Sequence, residues 1–113
     1  SVVNDQISSP TYASDLAGVI LEIIGNKGYQ AKDRLTEIYH YSNKGEASWY
    51  EFAKEICKLK GIYLRVRPIK TEQYPTLAQR PKNALMNKDK IVKVFDVKIP
   101  NWKSSLSSCI RLC

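Results

Sequence analysis

The chain has 113 residues, 43% of them apolar, with eighteen basic side chains against eleven acidic ones, a formal charge of +7. That length suits one domain or less with a modest core. No apolar run approaches the roughly 18 residues that span a bilayer, and the start Ser-Val-Val-Asn-Asp lacks the basic-then-apolar pattern of a signal peptide.

Val2 and Val3 read as the end of a strand, so the chain looks cut inside a strand-like run. Polar Gln6, Ser8, Ser9 and Thr11 follow. Leu16, Val19, Ile20, Ile23 and Ile24 then repeat with the spacing of one buried helical face, which predicts a helix from about 11 to 24. Asp15 falls in its first turn, where a carboxylate suits the helix dipole. Gly25-Asn26-Lys27-Gly28 is expected to end it through a left-handed glycine. A polar loop against the unpaired N–H groups of a helix start can hold an anion; an ordinary capped turn uses the same residues.

Residues 37–42 set Ile38 and His40 against Tyr39 and Tyr41, the alternation of a short strand. His40 is read as a strand residue with a satisfied hydrogen bond, because no Ser, Cys or paired carboxylate stands beside it in a catalytic arrangement. Asn43-Lys44-Gly45 is a turn. Ser48 and Glu51 form a capping box, opening a helix with Phe52, Ile56 and Leu59 inward and Lys60-Gly61 at its end. Trp49 and Tyr50 could offer a stacking platform for a base; core packing is the preferred reading. Residues 63–69 alternate Leu64, Val66 and Pro68 with Arg65 and Arg67, a partly exposed strand that Pro68 places at an edge or end. The stretch 70–85, with Pro75 and Pro81, shows no periodicity, and a loop that long is often functional. A short helix over 88–95 turns Ile91, Val92 and Phe95 inward. Asn101 caps a last helix with Trp102, Leu106, Cys109, Ile110 and Cys113 on one side.

The positive charge invites a nucleic-acid reading. Lys54, Lys58, Lys60, Arg65, Arg67, Lys70, Lys88, Lys90 and Lys93 are however dispersed and interleaved with carboxylates, and no RNA-binding aromatic motif, zinc spacing or helix-turn-helix pattern accompanies them. No nucleic-acid or membrane partner is therefore expected. Cys57, Cys109 and Cys113 lack metal spacing and read as reduced, buried thiols of a cytoplasmic protein. Arg80 is the charged residue of most interest. Its planar fork of donors fits a pair of phosphate oxygens, and Pro81 restricts its backbone to extended conformations. Pairing with a nearby carboxylate or carbonyl would be the plainer use.

Four ordered motifs carry a family resemblance. They are 2–6 with Ser9-Pro10-Thr11-Tyr12 and Asp15-Leu16-Ala17; Ile38-Tyr39-His40-Tyr41-Ser42 with the stretch 45–53; 68–75 with Arg80-Pro81-Lys82-Asn83; and Pro100-Asn101-Trp102. Together they resemble the C-terminal half of the dTDP-4-dehydrorhamnose reductase family over nearly the whole chain. Ser8 stands where that family usually has Gly, and Ala84 where it usually has Ser. The resemblance implies an α/β fold, helices packed on a small mixed sheet, forming the C-terminal fragment of a Rossmann-type extended short-chain reductase. Residues 1–113 would be its sugar-nucleotide-binding portion, with the N-terminal NAD(P)-binding domain absent.

The family reduces the 4-keto group of a dTDP-sugar to form dTDP-L-rhamnose, with hydride from NADPH or NADH and a proton from the Tyr of a Tyr-x-x-x-Lys pair. No nucleotide-binding glycine loop occurs here, and no such pair occurs in that family context, so the fragment alone is expected to be inactive. Gln6, Ser9, Thr11, Arg80 and Asn83 are the expected substrate-binding or cleft-supporting residues. The partners implied are the dTDP-sugar, the missing N-terminal domain and a second copy, since the family often forms dimers with a divalent metal such as Mg; no metal-binding acids can be matched here. A non-catalytic relative of the same fold, like the regulatory subunit of methionine adenosyltransferase, is the alternative.

Overall fold

A computed structural model describes residues 1–26 and 36–113. Strand β1 (Val2–Val3) is followed by β2 (Ile7–Ser8) and helix α1 (Ala13–Gly25). Then come β3 (Ala47–Ser48), α2 (Trp49–Lys60), β4 (Pro68–Ile69), a 3-10 turn (Thr71–Gln73), α3 (Asp89–Phe95) and α4 (Trp102–Arg111). The strands form two pairs. β1 lies parallel to β4, with Val2 opposite Pro68, and β2 lies antiparallel to β3, with Ile7 opposite Ser48. No helix among the described residues is long and apolar enough to cross a membrane.

The helix boundaries follow their capping chemistry. At the start of α2 the Ser48 hydroxyl accepts from Glu51 N at 3.1 Å, and the Glu51 carboxylate accepts from Ser48 N at 2.8 Å. Gly61 closes α2 at φ +63°, the left-handed conformation that glycine adopts without steric cost. Asn101 Oδ1 accepts from Lys103 N at 2.9 Å and opens α4. Among the described residues helix α1 ends without a left-handed residue. Its C-cap Asn26 is extended and donates to Ile23 O; Lys27 and Gly28 lie outside the described residues.

Two apolar clusters hold these elements. Val19 of α1 packs with Ile91, Phe95 and Val97, flanked by Ile23, Tyr39, Tyr41 and Ile99. Ala47, Trp102 and Leu106 form the second, flanked by Phe52, Ile56 and Ile110. Asn43, with no exposed surface, joins the two regions. Its Nδ2 donates to Asp15 Oδ2 at 2.6 Å and to Ser105 Oγ at 2.7 Å. Its Oδ1 accepts from Tyr12 N at 3.3 Å, and its own N–H reaches Thr11 Oγ1 at 3.2 Å.

Several expectations are corrected. Residues 37–42 form no strand. The alternation survives, with Tyr39 and Tyr41 half-buried and His40 exposed. The backbone ladder that defines a strand does not form: Lys90 Nζ takes the Ile38 carbonyl at 3.0 Å and stands 4.7 Å over the Tyr39 ring. Over 63–69 only Pro68 and Ile69 pair, because β1 supplies a partner two residues long, and Leu64 is exposed. On α1 only Val19 is buried; Leu16, Ile20 and Ile24 are exposed among the described residues. In α2, Phe52 and Ile56 are half-buried and Leu59 is exposed. Val92 turns outward while Ile91 and Phe95 turn in. All three cysteines are free; Cys57 and Cys109 are half-buried, and Cys113 is exposed beyond the end of α4.

Candidate functional site

Polar groups converge where the loop after β4 returns to β2. Asp5 accepts from Thr71 twice, from Oγ1 at 2.7 Å and from N at 2.9 Å, with Lys82 Nζ at 3.9 Å. The Thr71 hydroxyl, helped by its backbone N–H and by Lys82, holds the Asp5 carboxyl below its ordinary range against the opposing effect of desolvation. Glu72 is lowered too, by its own backbone N–H first and then by Lys82 at 3.3 Å. Gln6 Nε2 donates to Thr71 Oγ1 at 3.3 Å. The loop then pairs with β2: Ile7 N donates to Lys82 O and Ala84 N to Ile7 O, both at 2.9 Å. These bonds give a stretch without periodicity a fixed course.

Beside this network lies a cleft of about 440 Å³, lined by β1, Gln6, Trp49, Tyr74, Thr76 and Arg80. That volume is within the range of small-molecule sites. Among the described residues Arg80 forms no ion pair. Gln6 and Arg80 are thus brought together.

The other expected residues stand apart from this opening. The Ser9 hydroxyl donates to Gly45 O at 2.7 Å, and Thr11 Oγ1 donates to Ser9 O at 3.0 Å. Asn83 Oδ1 accepts from Leu85 N at 3.0 Å. These bonds involve no residue of the cleft lining. Gly45, at φ +92°, is required there, since a Cβ would stand 3.0 Å from both Asn101 Nδ2 and Trp102 Cδ1. At the start of α1 the Asp15 carboxylate, held by Asn43 and Ser105, already occupies the first turn. A neighbouring cavity of about 300 Å³ has an apolar lining that includes Trp102, Leu106 and Cys109. A second anion at that helix terminus would meet a resident charge.

Of the two aromatic residues in the cleft, Tyr74 is not singled out in the sequence, and for Trp49 the preferred reading of core packing is corrected in favour of the exposed alternative. Trp49, expected in the core, is 55% exposed and lines the cleft, and Tyr74 is exposed beside it. The available signal was position: Trp49 directly follows a capping Ser, so its place on the helix is fixed while its face is not. The spacing Tyr50 to Lys54 does match Tyr-x-x-x-Lys by letters. There the ammonium stands 5.4 Å over the ring centroid, a cation–π contact on α2. Among the described residues no group of three His, Cys, Asp or Glu side chains could hold a metal. The Tyr41 hydroxyl is buried without a partner in the described structure, and desolvation raises its pKa.

A family model, the RmlD substrate binding domain, matches residues 1–113. A dTDP-4-dehydrorhamnose reductase of Sinorhizobium fredii is 35% identical over 109 residues, covering 93% of this chain and 37% of the relative. The spore coat polysaccharide biosynthesis protein SpsK of Bacillus subtilis is 31% identical over 110 residues, covering 97% of this chain and 36% of its own length. A solved dTDP-4-dehydrorhamnose reductase from Clostridium acetobutylicum superposes with a TM-score of 0.85 at 38% identity, over 98% of this chain and 37% of that one. One from Bacillus anthracis, in complex with NADP, gives 0.84 at 34% identity, over 99% and 37%. The chain therefore spans well under half the length of the relatives it matches. Matched from its first residue to its last, with the α/β architecture of those solved reductases, the chain belongs to the RmlD substrate binding domain family.

Proposed function

We propose that residues 1–113 are the sugar-nucleotide-binding portion of an NAD(P)H-dependent dTDP-4-dehydrorhamnose reductase. The observation that carries this reading is the cleft in which Gln6 meets Arg80, a residue with no ion pair among the described residues, in a chain matched throughout by a substrate-binding family. Arg80 binds the diphosphate through its fork, and Gln6 adds an amide beside it. Ser9, Thr11 and Asn83 support the cleft from outside its lining, through hydrogen bonds that fix the neighbouring loops.

The nicotinamide cofactor supplies hydride, and its site and the Tyr-Lys pair belong to the rest of the reductase. Two observations support a longer protein: the relatives' greater length, and the exposed apolar residues Leu16, Ile20, Leu21 and Ile24 on α1. The 113-residue chain by itself is then inactive. Mixed with NADPH and dTDP-4-dehydrorhamnose, it should cause no substrate-dependent loss of nicotinamide absorbance.

Steady-state kinetics of the full-length protein test the role of Arg80. A charged hydrogen bond is worth roughly 1.5–3 kcal/mol, so Arg80→Ala should lower kcat/KM about 10- to 100-fold. The diphosphate does not react, so the loss should fall mainly on KM. Arg80→Lys keeps the charge without the fork and should recover part of it. An unchanged kcat/KM in a folded Arg80→Ala protein would remove the diphosphate from this cleft.

A further inference from the structure

We propose that the turn joining α2 to β4 docks on an anionic lipid surface, with Ile62, Tyr63 and Leu64 entering the headgroup layer and the surrounding basic side chains held by lipid phosphates. Two exposed apolar faces of the described structure differ in charge. On α1, Leu16, Ile20, Leu21 and Ile24 are exposed on a helix whose only charged residues, Asp15 and Glu22, are acidic. An anionic surface repels such a face. Between α2 and β4 the sign reverses. Ile62 is 53% exposed, Leu64 67%, and Tyr63 is fully exposed. Residues 58–67 contain Lys58, Lys60, Arg65 and Arg67 and no acidic side chain.

Hydrogen bonds on both sides fix this projection. Left-handed Gly61 turns the chain off the end of α2, with Gly61 N donating to Lys58 O at 3.2 Å and Ile62 N to Cys57 O at 2.9 Å. Leu64 N then donates to Ile62 O at 3.1 Å, which closes a three-residue turn with Tyr63 at its apex. On the far side Val2 N donates to Arg67 O at 2.9 Å. A turn anchored in this way loses little further freedom when it docks. The end of α4 joins the same end of the molecule. Lys60 Nζ donates to Cys113 O at 3.2 Å, and exposed Arg111 and Leu112 immediately precede that residue. Among the described residues Lys60, Arg65 and Arg67 form no ion pair, and Lys58 stands 3.8 Å from Glu55 with its own side chain 77% exposed.

A lipid surface matches both features at once. Anionic headgroups attract each nearby cation by about fivefold in affinity. The interfacial layer takes up apolar side chains and the amphipathic ring of a tyrosine. The contact is peripheral, since no helix among the described residues is long and apolar enough to cross a membrane.

Co-sedimentation with vesicles tests the proposal on the 113-residue chain and on the full-length protein. Both should bind phosphatidylcholine vesicles containing one-third phosphatidylserine, and neither should bind phosphatidylcholine alone. Raising salt from about 0.1 M to about 1 M should release most of the bound protein. Lys60→Gln, Arg65→Gln and Arg67→Gln combined should weaken binding about 100-fold. Tyr63→Ser with Leu64→Ser keeps every charge and should weaken it at least about 10-fold. Ile20→Ser with Ile24→Ser, made on α1 of the 113-residue chain, should leave it unchanged. All these side chains are exposed apart from the fold's core, and circular dichroism confirms folding of each variant. Wild-type affinity in the Tyr63→Ser, Leu64→Ser variant would overturn the proposal, as would absence of vesicle binding. Binding by the short chain but not by the full-length protein would overturn it in favour of a contact within the longer protein. Preference for polyglutamate, a soluble acidic peptide, over the vesicles would overturn it in favour of an acidic protein.

Discussion

Asn43 and Arg80 are both polar, and both sit where elements distant in sequence meet. Asn43 has no exposed surface, and every polar atom of its side chain has a partner within the protein. Arg80 stands in an open cleft and forms no ion pair among the described residues. The physical difference is one of desolvation. A buried amide that loses a partner keeps its desolvation penalty, so such a site must be completed during folding. An exposed guanidinium stays hydrated and can wait for a ligand. Internal saturation thus marks a structural joint, and an exposed guanidinium beside bare aromatic surface is what the proposed binding cleft offers.

The sharpest way to break this comparison is Asn43→Ala. It removes one hydrogen bond to a carboxylate and two others, and it leaves the Tyr12 N–H without its acceptor. The expected loss is about 2–4 kcal/mol, a fall in Tm of at least about 8 °C for a domain of this size. Thermal unfolding followed by circular dichroism measures it. Arg80→Ala, the counterpart, should move Tm by no more than about 2 °C while weakening ligand capture. Comparable losses of stability in the two variants would end the distinction between joint and cleft.

A smaller effect separates the cleft's scaffold from its contacts. Ser48→Ala removes the cap of α2 and the bond to Asn4, and should cost about 0.5–2 kcal/mol. Because Trp49 is the next residue, the loosened first turn should also weaken deoxythymidine diphosphate binding. Ser48→Thr should restore part of both, since Thr caps helices as well. Calorimetry at matched folded fractions distinguishes the two contributions. Weakened stability with unchanged nucleotide affinity would show that the cap does not position Trp49 for the ligand.

Helix ends were readable because a cap depends on neighbours a few residues away. Ser48, Gly61 and Asn101 all act as expected. Residues 37–42 failed as a strand, and 63–69 kept only Pro68 and Ile69, because a ladder needs a partner and alternation describes only one side of it. The apolar stripe of α1 was legible, but not how little of it would be covered. Gln6 and Arg80, 74 positions apart in sequence, could be brought together only through the resemblance. The bonds that achieve it, Ile7 to Lys82 and Asp5 to Thr71, leave no periodic trace. Trp49 was misassigned because burial of an aromatic residue depends on what stands opposite it, and here a cleft does.

The smallest expected effect concerns pH. Asp5 ties β1 and β2 to the loop after β4, and its carboxyl is held below the ordinary value chiefly by the Thr71 hydroxyl. A carboxyl whose pKa is lower in the folded state stabilises that state above its unfolded pKa, and the contribution is lost as pH falls through the folded value. The loss therefore belongs to the region below about pH 4. Glu72 shifts in the same direction, so acid also releases Lys82 from both carboxylates. The surroundings are solvated, and screening keeps the effect modest. Asp5→Asn removes the titrating group. Between pH 5 and pH 3 the wild-type Tm should fall by more than that of Asp5→Asn, and Thr71→Val should reduce the difference by taking away the main donor. Carbon-detected NMR titration of the Asp5 carboxyl gives the direct check. A midpoint at or above the ordinary aspartate value would show that the Thr71 bonds do not hold the loop against the cleft in solution.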